Sequence, residues 1–189
     1  MPLSNFRDKA SLKLTSVNTS AALTAVCFYL AKSPDTLSRL QAEVTPLVDS
    51  RIFDMRKPLP ILDSVITESL RLQALVPSGE ERMTPPSGLL IGTDTWIPGN
   101  LVVRVPNFSI CRDERYFVRP NEYIPERWTT HKELIIDKSV AKPFGLGMYA
   151  CVGKKLGMME IRAAVASLAA AYSWRLDNTV DSGAWGFSG

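Results

Sequence analysis

The chain has 189 residues, which is enough for one domain with a buried core, and its 46% hydrophobic and 22% charged residues are typical of a globular protein. A net charge of +3 without any run of five basic residues argues against a nucleic-acid partner. The widely spaced Cys27, Cys111 and Cys151, with one histidine, His131, argue against a disulfide framework and a zinc site and favour reduced thiols in a cytosol-facing protein.

The first predicted helix spans residues ~10–32 and is apolar on most sides, which is typical of a helix central to a domain. Its segment Leu14–Ala31 has about the minimum length of a membrane span, but its many Ser, Thr and Asn residues favour a buried helix. A second helix is predicted to start at Ser33-Pro34-Asp35, where serine caps, proline takes the first position and aspartate suits the helix dipole. Pro46 is expected to end or kink it.

The remaining elements are a helix, a few strands, a loop and a final helix. Pro58–Pro60 opens a helix over residues ~60–73. Three short strands are predicted within residues ~88–105: Gly88–Ile91, Thr95–Ile97 and Leu101–Val105. Pro98-Gly99 is predicted to form a tight turn between the last two strands. Residues 112–128 are interpreted as loops with a short helix, residues ~152–172 as a strong helix, and Trp174–Leu176 as a candidate strand start. This order predicts a mainly α fold with a small β-sheet.

The glycine-rich loop 144–153 is the first candidate for chemistry. Cys151 directly precedes the final helix, where unpaired N–H groups and the positive end of the dipole favour a thiolate. Gly147 and Gly153 lack Cβ atoms, so a large flat ligand could approach the backbone, and Phe144 could cover one of its faces. The residues alone leave two interpretations open, a structural cysteine at a glycine turn and a reactive or ligating cysteine.

Glu68 and Arg71 lie three positions apart on the third predicted helix, so their side chains are neighbours. The apolar stripe of that helix leaves the pair on the other face. An exposed ion pair and a buried pair that fixes a neighbouring loop are both consistent with this spacing.

Three motifs in this order make the chain resemble the cytochrome P450 family. The pattern F-x-x-G-x-x-x-C-x-G, which ends at Cys151-Val152-Gly153, resembles its cysteine loop, and E-x-x-R at Glu68 and Arg71 resembles its core helix. Pro125–Trp128 resembles the segment whose arginine joins that pair. The resemblance runs from about Leu12 to Leu176, and residues 82–127 are most similar to fungal members.

The resemblance implies a role for each matching residue. Cys151 would be the axial thiolate ligand of the iron in haem b, with the rest of its loop binding the cofactor through Phe144, Gly145, Gly147 and Gly153. Glu68, Arg71 and Arg127 would hold the cysteine loop. Arg82 lies where members often place an arginine on a haem propionate, although a surface arginine remains the alternative. Tyr149 stands where many members have a charged residue, and it can donate a hydrogen bond without bringing charge.

The first predicted helix resembles the oxygen-side helix of the family over residues 15–20. Thr19 is in place for the alcohol that steadies bound oxygen and relays protons, but Asn18 replaces the acid and Ser16 the glycine of the motif. Asparagine forms hydrogen bonds but cannot release a proton near pH 7, which puts proton delivery in doubt. A polar patch that merely bends the helix is the alternative.

The resemblance also implies a function for residues 1–189 as the C-terminal part of one haem-thiolate domain, in a chain that is expected to be truncated. That function is monooxygenation of a small apolar organic substrate, with electrons that NADPH supplies through a flavoprotein reductase. The expected location is the cytosolic face of the endoplasmic reticulum. Membrane association is expected only through an N-terminal anchor, which this chain is expected to lack. Lys154 and Lys155 are candidates for reductase docking; a solvated helix start is the alternative. Two other functions stay open: a non-catalytic remnant without haem, and a haem-thiolate isomerase or peroxygenase.

Overall fold

A computed structural model describes residues 4–49, 54 and 57–177. Within these residues, the helices are α1 (Ser4–Lys32), α2 (Pro34–Asp49), α3 (Pro60–Leu72), α4 (Asn107–Ile110) and α5 (Lys154–Ala171). The strands, all between α3 and α4 in the chain, are β1 (Arg82–Met83), β2 (Leu89–Ile91), β3 (Thr95–Ile97) and β4 (Val102–Val103). The prediction of a mainly α fold with a small β part is therefore confirmed.

The hydrophobic core lies where α1, α2, α3 and α5 meet. Burial of a large aliphatic side chain contributes about 1.5–3 kcal/mol, so these contacts account for the packing of the four helices. The buried residues of the core are Ala22, Val26, Leu30, Leu37, Leu40, Val44, Leu62, Val65, Ile66, Leu70, Ile161, Val165, Ala166 and Ala169. The expected burial of the first helix is thus found in its C-terminal half. In the part of the chain that the structure describes, none of the helices has the length and apolarity that a membrane crossing requires.

Polar side chains of α2 bind the ends of two neighbouring helices. The Glu43 carboxylate accepts hydrogen bonds from the N–H groups of Ile61 (3.0 Å) and Leu62 (2.8 Å), which are unpaired at the start of α3. Gln41 Nε2 donates to the carbonyls of Ala169 and Tyr172 at the end of α5, both at 3.1 Å. The second helix therefore fixes where the third begins and the fifth ends.

The strands form two separate antiparallel pairs. β2 pairs with β3 as a hairpin, and β4 pairs with β1, a strand that the sequence did not predict. β4 is shorter than the predicted Leu101–Val105. The turn between β3 and β4 needs Gly99, because a Cβ there would lie 2.1 Å from the carbonyl oxygen of Pro86.

Several predicted boundaries differ from the structure. α1 begins at Ser4 and α5 at Lys154, whereas the predictions were ~10 and Val152. The prediction that Pro46 could end the second helix is wrong, because α2 continues to Asp49. Pro46 lies on the exposed side of the helix, where water can bind the carbonyl that lacks an N–H donor from proline. Trp174–Leu176 is not a strand; the Trp174 indole N–H instead donates to the Cys27 carbonyl (3.0 Å).

Candidate functional site

Glu68 in α3 is fully buried, and its carboxylate accepts five hydrogen bonds. Arg71 binds both carboxylate oxygens, through Nε and Nη2 at 2.9 Å each. Arg127 Nε and the Ile124 N–H donate to Oε1 at 2.8 and 3.0 Å, and the Trp128 indole N–H donates to Oε2 at 2.8 Å. The interpretation of Glu68 and Arg71 as an exposed ion pair is therefore wrong, and the interpretation of them as a buried pair is confirmed.

The two arginines use their remaining N–H groups to bind backbone carbonyls. Arg71 donates to the carbonyls of Cys111 (2.6 Å), Pro120 (2.7 Å) and Glu122 (3.2 Å). Arg127 donates to those of Val118 (3.0 Å), Arg119 (3.1 Å) and Leu134 (3.1 Å). One carboxylate thus faces two guanidinium groups, and carbonyl dipoles offset the second positive charge. We call Glu68, Arg71, Arg127 and Trp128 the buried network; it holds the chain between residues 111 and 134 against α3.

Aromatic residues close the buried network off from water. The fully buried Phe117 ring lies 5.0 Å from the guanidinium carbon of Arg71, a cation–π arrangement. The Tyr123 ring stacks on Tyr29 of α1, with 4.7 Å between centroids. Burial raises the pKa of Tyr123, so the phenol remains neutral. This cover explains why α3 is buried on its polar side as well as along its apolar stripe.

The loop 144–153 closes on itself at Cys151, whose N–H donates to the Phe144 carbonyl at 2.8 Å. Gly145 and Gly147 both have a φ of +68°, in the left-handed region that favours glycine, so these positions shape the loop. The Cys151 side chain is exposed. A two-residue turn separates Cys151 from Lys154, the first residue of α5. The cysteine therefore lies two residues further from the helix than the predicted start at Val152 implies.

A small cavity of about 20 Å³ separates the buried network from the segment that enters the cysteine loop. Arg71, Leu70 and Cys111 line one side, and residues 141–143 line the other. This volume has room for about one water molecule. The part of the cysteine loop nearest to the buried network is therefore its N-terminal end, where residues 141–143 lead into Phe144.

Arg82 lies at the start of β1, beside the cysteine loop. Its Nη2 forms an ion pair with Glu80, and its Nη1 donates to the Glu81 carbonyl at 2.8 Å. A Cβ built on Gly145 would lie only 2.6 Å from Glu80 Oε1, so this carboxylate contacts both Arg82 and the loop. The sequence reasoning missed Glu80, although its spacing of two from Arg82 would place both side chains on one face of an extended segment.

The oxygen-side candidates lie on α1, where Asn18 and Thr19 are half-buried. The Ser20 hydroxyl donates to the Val17 carbonyl (2.8 Å), and that of Thr24 to the Ser20 carbonyl (2.9 Å). Such bonds are typical of polar patches that bend helices, so both interpretations of this segment stay open. The side chains of Ser16 and Tyr149 lie outside the described part of the chain, and so do the predictions that rest on them.

Comparison with known proteins decides the family. A family model described as cytochrome P450 matches residues 15–183, most of the chain. The chain belongs to the cytochrome P450 family. Its P450 relatives include a monooxygenase of Eupenicillium brefeldianum (44% identical; 82% of this chain and 31% of the relative) and another of Fusarium pseudograminearum (40% identical; 91% and 32%). A tryprostatin B 6-hydroxylase of Neosartorya fischeri is 39% identical, over 88% of this chain and 31% of that protein.

The P450 chain spans about a third of the length of these fungal relatives. The expected resemblance to fungal members is confirmed, and the fold is a partial P450 fold. Membership of the P450 family implies a haem cofactor and a monooxygenase class.

The residues around Cys151 are suited to haem. Exposed apolar residues flank the exposed thiol in the sequence, namely Leu146, Met148, Val152 and Leu156, and a large flat apolar ligand could cover side chains of this kind. A Cβ on Gly147 would meet no atom within 4 Å, so the loop leaves open space there. Among the described residues no three His, Cys, Asp or Glu side chains cluster as metal ligands, but the iron of a porphyrin needs only an axial ligand from the protein.

The structure brings some predicted site residues together and adds one. Glu68, Arg71 and Arg127 meet in the buried network, as the sequence predicted, and Trp128 joins them through its indole N–H. Trp128 was part of the recognised Pro125–Trp128 segment, but its role depends on the turn over those residues, which rotates the indole back toward α3.

Proposed function

We propose that this chain provides the thiolate side of a haem-thiolate monooxygenase that inserts one oxygen atom from O₂ into a small apolar organic substrate. The observation that carries the proposal is the exposed Cys151 thiol on a glycine-shaped loop, with exposed apolar residues before and after it in the sequence. A haem bound there would supply oxygen activation. The hydroxylase name of one relative supports hydroxylation as the class of reaction.

Each protein residue has a distinct task in this proposal. Cys151 would give a thiolate to the iron, and Phe144, Gly145, Gly147 and Gly153 would shape the surface against the porphyrin. Arg82 would bind a propionate carboxylate. The buried network holds residues 111–134 against α3, and it would support the segment that enters the cysteine loop through the small cavity that Arg71 and Cys111 share with residues 141–143.

Thr19 and Asn18 would act on the oxygen side. Both can donate and accept hydrogen bonds, so they can orient a water molecule, but neither releases a proton near pH 7. We expect proton delivery in an enzyme with this oxygen-side segment to be inefficient, with electrons lost to peroxide. The Asn18→Asp variant, compared with the parent for product formed per NADPH consumed, should couple better; an unchanged ratio would contradict a relay role for this position.

Lys154 and Lys155 are the proposed docking residues for a flavoprotein reductase at the cytosolic face of the endoplasmic reticulum. Both are exposed in the first turn of α5, where positive charge is unfavourable for the helix dipole, and the Lys154 ammonium lies 5.9 Å from the centroid of the Phe144 ring. Charge reversal at both positions should slow reductase association at low salt, because rim charges mainly set association rates. Unchanged association would support the solvated helix start.

The decisive test of haem ligation is Cys151→Ser, with Cys27→Ser as the matched control. Parent and control, reconstituted with haem, should give the red-shifted ferrous carbonyl absorption of a thiolate ligand, and Cys151→Ser should not. Retention of that absorption in Cys151→Ser would contradict the ligand assignment. Absence of haem binding in every variant would favour a non-catalytic protein, and product formation with peroxide but not with reductase and O₂ would favour a peroxygenase.

A further inference from the structure

The Glu80 carboxylate has two contacts that together point to a ligand. It forms an ion pair with Arg82 Nη2, and it lies against Gly145 of the cysteine loop, so close that a Cβ there would meet Glu80 Oε1 at 2.6 Å. Arg82 is thus within reach of a carboxylate that touches the loop.

Haem carries two propionate carboxylates, the same chemical group that Glu80 presents to Arg82. We propose that Glu80 is an internal stand-in for a haem propionate, and that haem binding exchanges one carboxylate for the other on Arg82. This inference rests on the proposed haem site. It adds a specific feature of this chain: Glu80 lowers the affinity of its own protein for the cofactor.

The exchange is feasible because the existing pair is only partly buried. The Arg82 and Glu80 side chains retain 40% and 37% of their exposure, and ion pairs in such positions are weak. After the exchange, the Glu80 carboxylate remains near the incoming propionate and repels it. Both effects oppose haem binding, so removal of the charge should tighten binding by about two- to fivefold.

The neighbouring residue Glu81 provides a matched control. Its carboxylate forms an ion pair with Arg104, which follows β4 in the chain. Glu81→Gln therefore removes the same charge one residue away, and it separates competition at Arg82 from a general change in net charge.

The test is titration of the 189-residue chain with haem, followed by absorbance, for the parent and for Glu80→Gln, Glu81→Gln, Arg82→Gln and the double variant of residues 80 and 82. A second titration uses haem whose propionates are methyl esters. We expect Glu80→Gln to bind free haem about two- to fivefold more tightly and the ester as the parent does, with Glu81→Gln unchanged. In the Arg82→Gln background, removal of the Glu80 charge should have a smaller effect.

Two results would overturn the inference alone: equal haem affinity of Glu80→Gln and the parent, or an equal gain in Glu81→Gln. A gain that is the same for free haem and its ester would also contradict it, since the ester has no carboxylate to exchange. If neither the parent nor any variant binds haem, the proposed function itself fails. Binding by Glu80→Gln without binding by the parent would support the competition in its strongest form.

Discussion

At the scale of single residues, one buried carboxylate, that of Glu68, binds the guanidinium groups of Arg71 and Arg127 and the indole N–H of Trp128. The E-x-x-R spacing predicts that Glu68 and Arg71 are adjacent, and the resemblance supplies Arg127 as a third member. Burial could not be predicted, because it depends on the chain from Cys111 to Leu134 folding over the polar side of α3. Trp128 was missed for the same reason: its contact with Glu68 crosses 60 positions of the chain.

Glu68→Gln should be strongly destabilising. The amide leaves two buried guanidinium groups without a counter-charge, and removal of one partner of a buried ion pair costs about 3–5 kcal/mol. Denaturant unfolding measures the change in the free energy of unfolding. Glu122→Gln is the control, since its exposed carboxylate pairs with Arg119 and should change that free energy by about 1 kcal/mol or less. Similar values for the two variants would contradict the charged network.

Trp128→Phe tests the indole contact separately. The substitution keeps an aromatic ring but removes the N–H that donates to Glu68 Oε2, a hydrogen bond to a charged group worth about 1.5–3 kcal/mol. Trp96→Phe, at an exposed position in β3, should leave the free energy of unfolding almost unchanged. Equal losses in the two variants would mean that the indole N–H contributes nothing specific.

The three cysteines should differ in reactivity toward iodoacetamide. Burial raises the pKa of both Cys27 and Cys111, so each stays a neutral, shielded thiol at neutral pH, whereas Cys151 is exposed. Mass spectrometry of briefly labelled native protein should find the label on Cys151 first, and added haem should protect it. Preferential labelling of Cys111 would contradict the described fold around the buried network.

At the scale of elements, the long helices and three of the four strands (β2, β3 and β4) were predictable, and β1 was not. The apolar periodicity of α1, α3 and α5 gave their positions within a few residues, because burial of one face decides where a long helix lies. β1 has only two residues and exists because β4 lies beside it, which no local pattern reveals. Trp174 has strand-like neighbours, but its indole bonds to α1 instead.

The contact of Glu43 with the start of α3 gives a prediction at this scale. Glu43→Ala leaves the N–H groups of Ile61 and Leu62 without their acceptor, as in the loss of an N-cap, and should cost about 0.5–2 kcal/mol of unfolding free energy. Glu43→Gln keeps one acceptor oxygen and should lose less. Denaturant unfolding orders the variants; an alanine variant as stable as the glutamine variant would contradict the cap.

At the scale of the whole molecule, apolar side chains remain exposed on the β hairpin and around the cysteine loop. Leu90, Ile91 and Trp96 are exposed on the hairpin, and Met148 and Val152 beside the cysteine. Further exposed apolar side chains lie on α5, at Leu156 and Met159. Contiguous surfaces of this kind favour association.

The 189-residue chain, purified alone, should self-associate and should not sustain oxygen insertion. The exposed apolar residues favour association, and an open haem surface admits water. Size-exclusion chromatography at several concentrations measures self-association. Haem titration gives the stoichiometry of haem binding, and turnover with a reductase measures oxygen insertion. Leu90→Lys, which puts a charge on the hairpin, should reduce association. A monomer with stoichiometric haem, one sharp melt and sustained turnover would contradict this prediction.

The way in which Arg71 and Arg127 bind the covering segment has a consequence for sequence variation. All seven hydrogen bonds from their guanidinium Nη atoms to the segment end on main-chain carbonyl oxygens, for example those of Cys111, Pro120 and Val118. Every amino acid carries this acceptor. Where the segment is held by these bonds alone, its path does not depend on the side chain at the accepting position, so a side chain that faces solvent there can vary. Different surfaces can therefore be presented over one unchanged interior at exposed positions such as Val118, whose carbonyl and not its side chain binds Arg127.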